Sequence, residues 1–155
     1  MKSIQEILTK DQENIQLFKE QKITLEEFQN RARSICADFY VLFKEQGFPV
    51  KDNEPEEYRS AVVLTLHQPL EKLEDIYNVL KEKTSEQVDA KDLAYMEDKV
   101  RVSKGEKQLY GTQYKVENNQ VIFLPIENTE EVGERRQSVG LEPLEKYKKR
   151  AEDNL

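Results

Sequence analysis

Several residue types on which common protein classes depend are scarce or missing in this 155-residue chain. It contains no tryptophan, one cysteine (Cys36) and one histidine (His67). A single cysteine cannot form an internal disulfide, which indicates a reducing compartment. Zinc sites are built mostly from Cys and His, and the chain has too few of both. We therefore predict no metal site and no cofactor, and we expect Cys36 to be a buried, unreactive thiol.

Long apolar runs and glycine-rich motifs are missing too. The longest apolar run, Ala61 to Leu66, includes Thr65 and is far shorter than the ~20 residues of a transmembrane helix. The first residues lack the apolar core of a signal peptide. The chain has no phosphate-binding loop, no dinucleotide-binding glycine pattern and no G-x-S-x-G motif. We predict a soluble, cytoplasmic protein that does not contact a membrane.

The charge balance is acidic, with 31 Asp and Glu against 24 Lys and Arg, a net charge of −7. Phosphate backbones repel such a surface, so we predict no nucleic-acid partner, although a basic partner protein would be attracted. The basic run at residues 146–150 is typical of the C-terminal turn of a helix. Leu, Ile, Val and Phe make up about 26% of the chain, above the roughly 20% below which disorder is expected. We therefore predict that residues 1–155 form a single folded domain.

Apolar residues recur at helical spacing in about seven segments with recognisable start and stop signals. Ser3 with Glu6 and Thr24 with Glu27 each match a capping box. The first two helices are expected to form an N-terminal hairpin over residues 1–46. The later starts are marked by Pro55, Pro69, Asp89, Asn128 and Pro143, and the stops by Gly47, Gly105 and Gly140.

The periodicity changes from helical to alternating after Gly105. Residues 109–116 are rich in β-forming side chains, residues 117–120 (Glu-Asn-Asn-Gln) suit a turn, and residues 121–124 suit a return strand. A lone hairpin is marginally stable, so this one, over residues 108–124, must pack on the helices. The sequence thus predicts an α+β fold, mainly a helical bundle with one antiparallel β-hairpin.

The segment Gln108-Leu109-Tyr110-Gly111-Thr112-Gln113 is unusual for a strand. A glycine there is expected where the backbone bends, or where a ligand or a second chain comes close. Gln108, Tyr110 and Thr112 would share one strand face, with Gln113 on the other unless Gly111 lies in a bulge. Two interpretations stay open: a bulged hairpin with polar surface side chains, and the hydrogen-bonding wall of a pocket.

This segment and its surroundings resemble a bacterial family of unknown function with a Gln-x-Tyr-Gly-Thr-Gln signature. The resemblance runs from about Ala61 to Tyr147, within a family-like region that we place at residues 55–150. Two positions depart from the family pattern: Lys99 stands where arginine is usual, and Gly133 where an aspartate precedes an arginine pair. The resemblance implies no established activity. The matching positions are, in chain order, His67, Asp98, residues 108–113, Pro125-Ile126, Val132, Arg135-Arg136, Gly140-Leu141 and Leu144.

His67 and the charged residues near the motif are the candidate functional groups. His67 either caps the C-terminal end of the third helix or acts as a general acid, general base or ligand donor, and the resemblance supports the second interpretation without deciding between the two. Asp98 either pairs with Arg101, three residues on, or orients His67 or the polar groups of the strand. Arg135 and Arg136 point about 100° apart on a helix, so at most one of them should reach the site.

We hypothesise that these residues line a polar pocket for a small anionic or nucleotide-like ligand, with His67 and Tyr110 contacting the same ligand. One form of this hypothesis is a hydrolase-type enzyme that uses a single histidine, and the sequence leaves open whether the protein is an enzyme at all. The alternative is a non-catalytic acidic immunity, antitoxin or anti-defence protein that binds and blocks a partner protein. The predicted catalytic residues are His67 and Asp98, and the predicted ligand-binding residues are Gln108, Tyr110, Thr112, Gln113, Arg101 and Arg136.

Overall fold

The computed structural model describes residues 2–155, which form seven α-helices and one two-stranded antiparallel sheet. The predicted class, a mainly helical α+β fold with one β-hairpin packed on helices, is confirmed. Among these residues no helix combines the length and the apolar character needed to cross a membrane. The elements are α1 (Ile4–Lys19), α2 (Leu25–Gln46), α3 (Pro55–Leu66), α4 (Leu70–Leu80), α5 (Ala90–Ser103), β1 (Tyr114–Glu117), β2 (Gln120–Phe123), α6 (Val132–Ser138) and α7 (Leu144–Asp153).

The chain divides into two compact units, one ending at Leu73 and the other running from Glu74 to Leu155. The division falls inside α4. The first unit therefore holds α1, α2 and α3, and the second holds α5, the hairpin, α6 and α7. Whether the two units fold as one domain stays a prediction.

In the first unit, α1 and α2 run antiparallel, as the sequence predicts for the N-terminal hairpin. The Lys2 ammonium lies 2.5 Å from the Asp38 carboxylate, and the Asn14 side chain donates to the Phe28 carbonyl at 3.0 Å. Both predicted capping boxes are present at the helix starts. The helix α3 packs on α1, where the Gln5 side chain donates to the Ser60 hydroxyl at 3.0 Å. The core of this unit includes Ile7, Phe39, Tyr58, Ala61 and Leu64.

In the second unit, the hairpin turns at Asn118 and Asn119, both with positive φ (50° and 59°), as two-residue hairpin turns require. The hairpin packs on α7, because Phe123 stacks on Tyr147 at 6.1 Å between ring centroids. The backbone N–H of the fully buried Val121 donates to the Glu152 carboxylate at 3.0 Å. A buried strand residue and an aromatic stack thus fix the hairpin on a helix.

The structure corrects two sequence-based boundaries. The first strand begins at Tyr114, and residues 108–113 form an irregular loop apart from one parallel bridge between Gln108 and Ile126. The predicted cap at Asn128 is also wrong, because that residue has a left-handed backbone and its side chain caps no helix. A 3-10 turn, Thr129–Glu131, precedes α6 instead. At residues 108–113 the local preference for a strand yields to contacts made by side chains distant in sequence.

Candidate functional site

The buried carboxylate of Asp98 organises the segment 108–113, which we call the Asp98 loop. Asp98 lies on α5 and is inaccessible to solvent. Its oxygens accept from the backbone N–H groups of Leu109 (2.7 Å), Tyr110 (3.0 Å) and Thr112 (3.0 Å), and from the Thr112 hydroxyl (2.9 Å). Four donors match the roughly four acceptor positions of a carboxylate. Asp98 therefore holds the loop in shape, as a buried charge surrounded by directed donors.

Gln108 closes the Asp98 loop at its base. Its side-chain amide donates to the carbonyls of Gln113 and Leu124, each at 2.8 Å. Its side-chain oxygen accepts from the backbone N–H of Gln113, also at 2.8 Å. The Gln108 side chain is fully buried, and these bonds use both ends of its amide. The two ends of the loop are thus joined through a single side chain.

The carbonyl groups of the same loop accept hydrogen bonds from side chains of α6 and α7. Both members of the arginine pair take part, so the prediction that at most one would reach the site is wrong. The long, flexible arginine side chains let two adjacent helix positions bind successive carbonyls. The bonds are Arg135 Nε to the Leu109 carbonyl (2.7 Å), Arg136 Nη1 to the Tyr110 carbonyl (2.6 Å) and the Tyr147 hydroxyl to the Thr112 carbonyl (3.0 Å).

Gly111 is the point of closest packing in the Asp98 loop. Its φ of +68° lies in the left-handed region that favours glycine. A Cβ atom at this position would lie 2.7 Å from Leu144 Cδ1 and 3.0 Å from Ile126 Cδ1. The sequence-based expectation that the backbone bends here is confirmed, and the close neighbours are apolar side chains of the same unit.

Arg136 is a buried cation whose position depends on carbonyl oxygens and an aromatic ring. Besides Tyr110, it donates from Nε to the Glu142 carbonyl at 2.6 Å, and its guanidinium lies 5.0 Å from the centre of the Tyr147 ring. Its Nη2 atom has no hydrogen-bond partner among residues 2–155. Burial lowers the pKa of this arginine, while the nearby Tyr95, Tyr147 and Glu142 partly offset the effect.

A second, partly exposed cluster surrounds the Tyr110 side chain, and we call it the Tyr110 face: Tyr77, Glu97, Arg101, Tyr110 and Arg135. The Tyr77 hydroxyl donates to the Glu97 carboxylate at 2.9 Å, and Arg101 Nε lies 3.4 Å from the same carboxylate. Arg101 thus pairs with Glu97, and not with Asp98 as one interpretation of the sequence had it. Sequence reasoning missed Tyr77 and Glu97, because Tyr77 fits the apolar face of its helix.

Tyr110 itself is half-buried, and its phenol hydroxyl makes no hydrogen bond within the described part of the chain. Burial raises the pKa of Tyr110, and the negative charges of Glu97 and Asp98 raise it further. The positive charges of Arg135 and Arg101 lower it by less. The hydroxyl therefore keeps its proton at neutral pH and is free to donate.

His67 lies in the first unit, at the C-terminal cap of α3. Its ring Nδ1 is 2.9 Å from the Asp11 carboxylate, with 37% of the His67 side chain and 10% of the Asp11 side chain exposed. Cys36 is buried, as predicted, and its thiol contacts the His67 carbonyl at 3.4 Å. Sequence reasoning missed Asp11, although Asp11 and Asn14 follow Ile7 at helical spacing on the buried face of α1.

The structure thus brings most of the predicted site residues together within the second unit. Asp98, Gln108, Thr112, Gln113 and Arg136 bind the backbone or each other. His67 belongs to the first unit, so its sharing of a ligand with Tyr110 stays a prediction. Residues 2–155 hold no group of three or more His, Cys, Asp or Glu side chains placed to bind a metal ion.

The second unit is a small α+β module. It is built around a buried carboxylate and a loop whose backbone is held by side chains. A protein-family model described as a family of unknown function, DUF6624, matches residues 54–155, about two-thirds of the chain. The chain belongs to this family, and the match extends beyond the span of Ala61 to Tyr147 on which the resemblance rested. Neither the curated proteins nor the solved structures gave a match.

Proposed function

We propose that the second unit binds a small polar ligand with an anionic group, of the nucleotide-like kind, at the Tyr110 face. The observation that carries this proposal is the Tyr110 hydroxyl. The Tyr110 residue is half-buried, and its hydroxyl is protonated at neutral pH. Among residues 2–155 this hydroxyl has no hydrogen-bond partner, and it feels the charges of Glu97, Arg101 and Arg135. Polar groups that are partly removed from water and left unpaired cost free energy unless a ligand or water binds them.

The Asp98 loop supports the proposal because it fixes the position of Tyr110. The N–H of Tyr110 is held by Asp98 and its carbonyl by Arg136. Binding to a side chain on such a rigid support requires little further ordering of the protein, which favours affinity. A loop that served only to connect two elements would not need this many buried side-chain contacts.

The charges of the Tyr110 face indicate the chemistry of the ligand. Arg101 lies 3.4 Å from Glu127, and Arg135 lies 3.4 Å from Glu131, with side-chain exposures of 47% and 65% for the two glutamates. Exposed pairs of this kind contribute only about 0–1 kcal/mol, so a ligand phosphate or carboxylate can replace either glutamate at small cost. Glu97 is less exposed and accepts hydrogen bonds, so the ligand should also carry donor groups.

The test is a thermal-shift screen of the full chain against nucleoside monophosphates and phosphorylated sugars. A compound at 100 times its Kd should stabilise the protein by about 2.7 kcal/mol, which corresponds to roughly 5–10 °C in Tm for a chain of this size. The Tyr110→Phe variant should lose about tenfold in affinity, because it lacks one hydrogen bond to the ligand.

Tyr114→Phe is the matched control, since Tyr114 is an exposed tyrosine on β1 outside the Tyr110 face. This variant should bind as the unmodified protein does. The proposal fails if no compound of the panel raises Tm, or if both variants lose affinity equally.

The sequence-based hypothesis names His67 and Asp98 as the catalytic residues. Because the Asp98 oxygens accept from the Asp98 loop and Asp11 lies beside His67, the catalytic form would rest on His67 with Asp11 instead. The Asp11 carboxylate fixes the orientation of the His67 ring through Nδ1 and leaves the second ring nitrogen available, an arrangement that suits a general acid or base. No nucleophile is assigned, so we propose no reaction. The alternative function, an acidic protein that blocks a basic partner, rests on the net charge of −7 and stays a prediction.

A further inference from the structure

A cavity of about 310 Å³ lies between α1 and α2, in the first unit and outside the family-matched region. Its lining includes the side chains of Lys10, Asn14, Arg31 and Ser34. Its volume is at the lower end of the range for sites that bind small molecules. It shares no residue with the Tyr110 face, whose residues all belong to the second unit.

Asn14 is the unusual residue of this cavity. Only 3% of it is exposed, and its Nδ2 donates to the Phe28 carbonyl at 3.0 Å. That bond sets the orientation of the amide, because only the nitrogen can donate to a carbonyl. The side-chain oxygen, Oδ1, is then left buried without a hydrogen-bond partner in residues 2–155. An unpaired buried acceptor is rare in proteins and calls for a donor.

The charges around the cavity are positive in balance, although the protein as a whole is acidic. Its lining has three cations, Lys2, Lys10 and Arg31, against two carboxylates, Glu13 and Asp38. Lys2 and Asp38 pair with each other at 2.5 Å. Lys10 and Arg31 form no ion pair within the described residues. Each has a glutamate one turn earlier on its own helix, close enough to lower the pKa of that glutamate, and Glu13 is the remaining carboxylate of the lining.

We propose that this cavity binds a small phosphate ester that also carries a hydroxyl group. Lys10 and Arg31 would bind the phosphate, and the hydroxyl would donate to Asn14 Oδ1. A phosphate ester suits two unpaired cations because it carries close to two negative charges at neutral pH. The hydroxyl supplies the donor that the amide oxygen lacks, and the side chains that cover this oxygen in the free protein must shift to admit the ligand.

The test is a titration of the ¹⁵N-labelled full chain with glycerol 3-phosphate, inorganic phosphate and glycerol, followed by NMR. Glycerol 3-phosphate should shift the side-chain amide signals of Asn14. It should bind about tenfold more tightly than inorganic phosphate, since it makes one more hydrogen bond. Glycerol alone should not bind at comparable concentration.

Two arginines of α2 provide the variant and its control. Arg31→Gln should weaken glycerol 3-phosphate binding about tenfold. Arg33→Gln should leave it unchanged, because the Arg33 side chain bonds to Asn30 and does not line the cavity. Tyr110→Phe should also leave it unchanged, which separates this proposal from the one above. Absence of shifts at Asn14, equal binding of inorganic phosphate, or equal loss in the two arginine variants would overturn it.

Discussion

Replacement of Asp98 by asparagine tests the central feature of the second unit. Asparagine keeps the shape of the side chain but has only one acceptor oxygen. If that oxygen serves Leu109 and Tyr110, the amide NH₂ faces the backbone N–H of Thr112, and two donors then oppose each other. The Thr112 hydroxyl can rotate and accept from the NH₂ instead. Each hydrogen bond to a charged group contributes about 1.5–3 kcal/mol, so loss of the bond from the Thr112 N–H should cost about 1.5–3 kcal/mol. Typical domains have only 5–15 kcal/mol in total.

Urea unfolding followed by circular dichroism measures this change in the free energy of unfolding. Asp153→Asn is the control, because Asp153 is exposed near the end of α7 and should change stability by less than about 0.5 kcal/mol. Hydrogen exchange at the backbone amide of Thr112 should also speed up in the Asp98→Asn variant. A loss of stability below about 1 kcal/mol, with unchanged exchange, would refute the view that this carboxylate holds the loop.

Two further predictions concern glycine and tyrosine. Gly111→Ala should destabilise the protein by about 1–2 kcal/mol, because alanine disfavours the left-handed backbone, while the close atoms Leu144 Cδ1 and Ile126 Cδ1 end flexible side chains that can shift. Gly133→Ala, with open space around its Cβ on α6, should stabilise the protein by about 0.5–1 kcal/mol. Urea midpoints measure both, and a similar effect at the two positions would contradict the packing argument. Burial raises the pKa of Tyr147 above the unfolded value near 10. Above pH 10 the native state therefore keeps a proton that the unfolded chain releases. The free energy of unfolding should consequently fall as the pH rises above about 10. Urea midpoints measured below and above that pH check this, and the fall should be smaller in Tyr147→Phe.

Helix boundaries could be predicted from the sequence because the signals that set them are local. The capping boxes at Ser3 and Thr24 involve residues three apart, and both form as the pattern predicts. Gly47 and Gly105 follow helix ends with positive φ, which their lack of a side chain permits. The turn at Asn118 and Asn119 is set in the same way. At these positions the residue type and its near neighbours in the sequence determine the backbone conformation.

The Asp98 loop could not be predicted in this way, because its partners are distant in sequence. Tyrosine, threonine and leucine favour strands, and their spacing predicted one. The structure instead satisfies the backbone of the loop with side chains from α5, α6 and α7. Asp98 lies 11 residues from its nearest partner and Tyr147 lies 35 residues from Thr112. No local pattern in the segment reveals such contacts, although the polar composition and the glycine indicated that it was not an ordinary strand.

The boundary of the family match and the boundary of the compact unit do not coincide. The difference indicates that the N-terminal hairpin covers a helix that the family region contributes. The match begins at residue 54, so α3 belongs to the family by sequence, yet α3 lies in the first unit and packs on α1. Ala61 and Leu64 are almost fully buried there. A chain with the matched region alone would expose that apolar face of α3 and need another element to cover it. It would also leave His67 without its Asp11 partner. The residues before the match therefore complete both the packing and the polar contacts of a helix that the family region contributes.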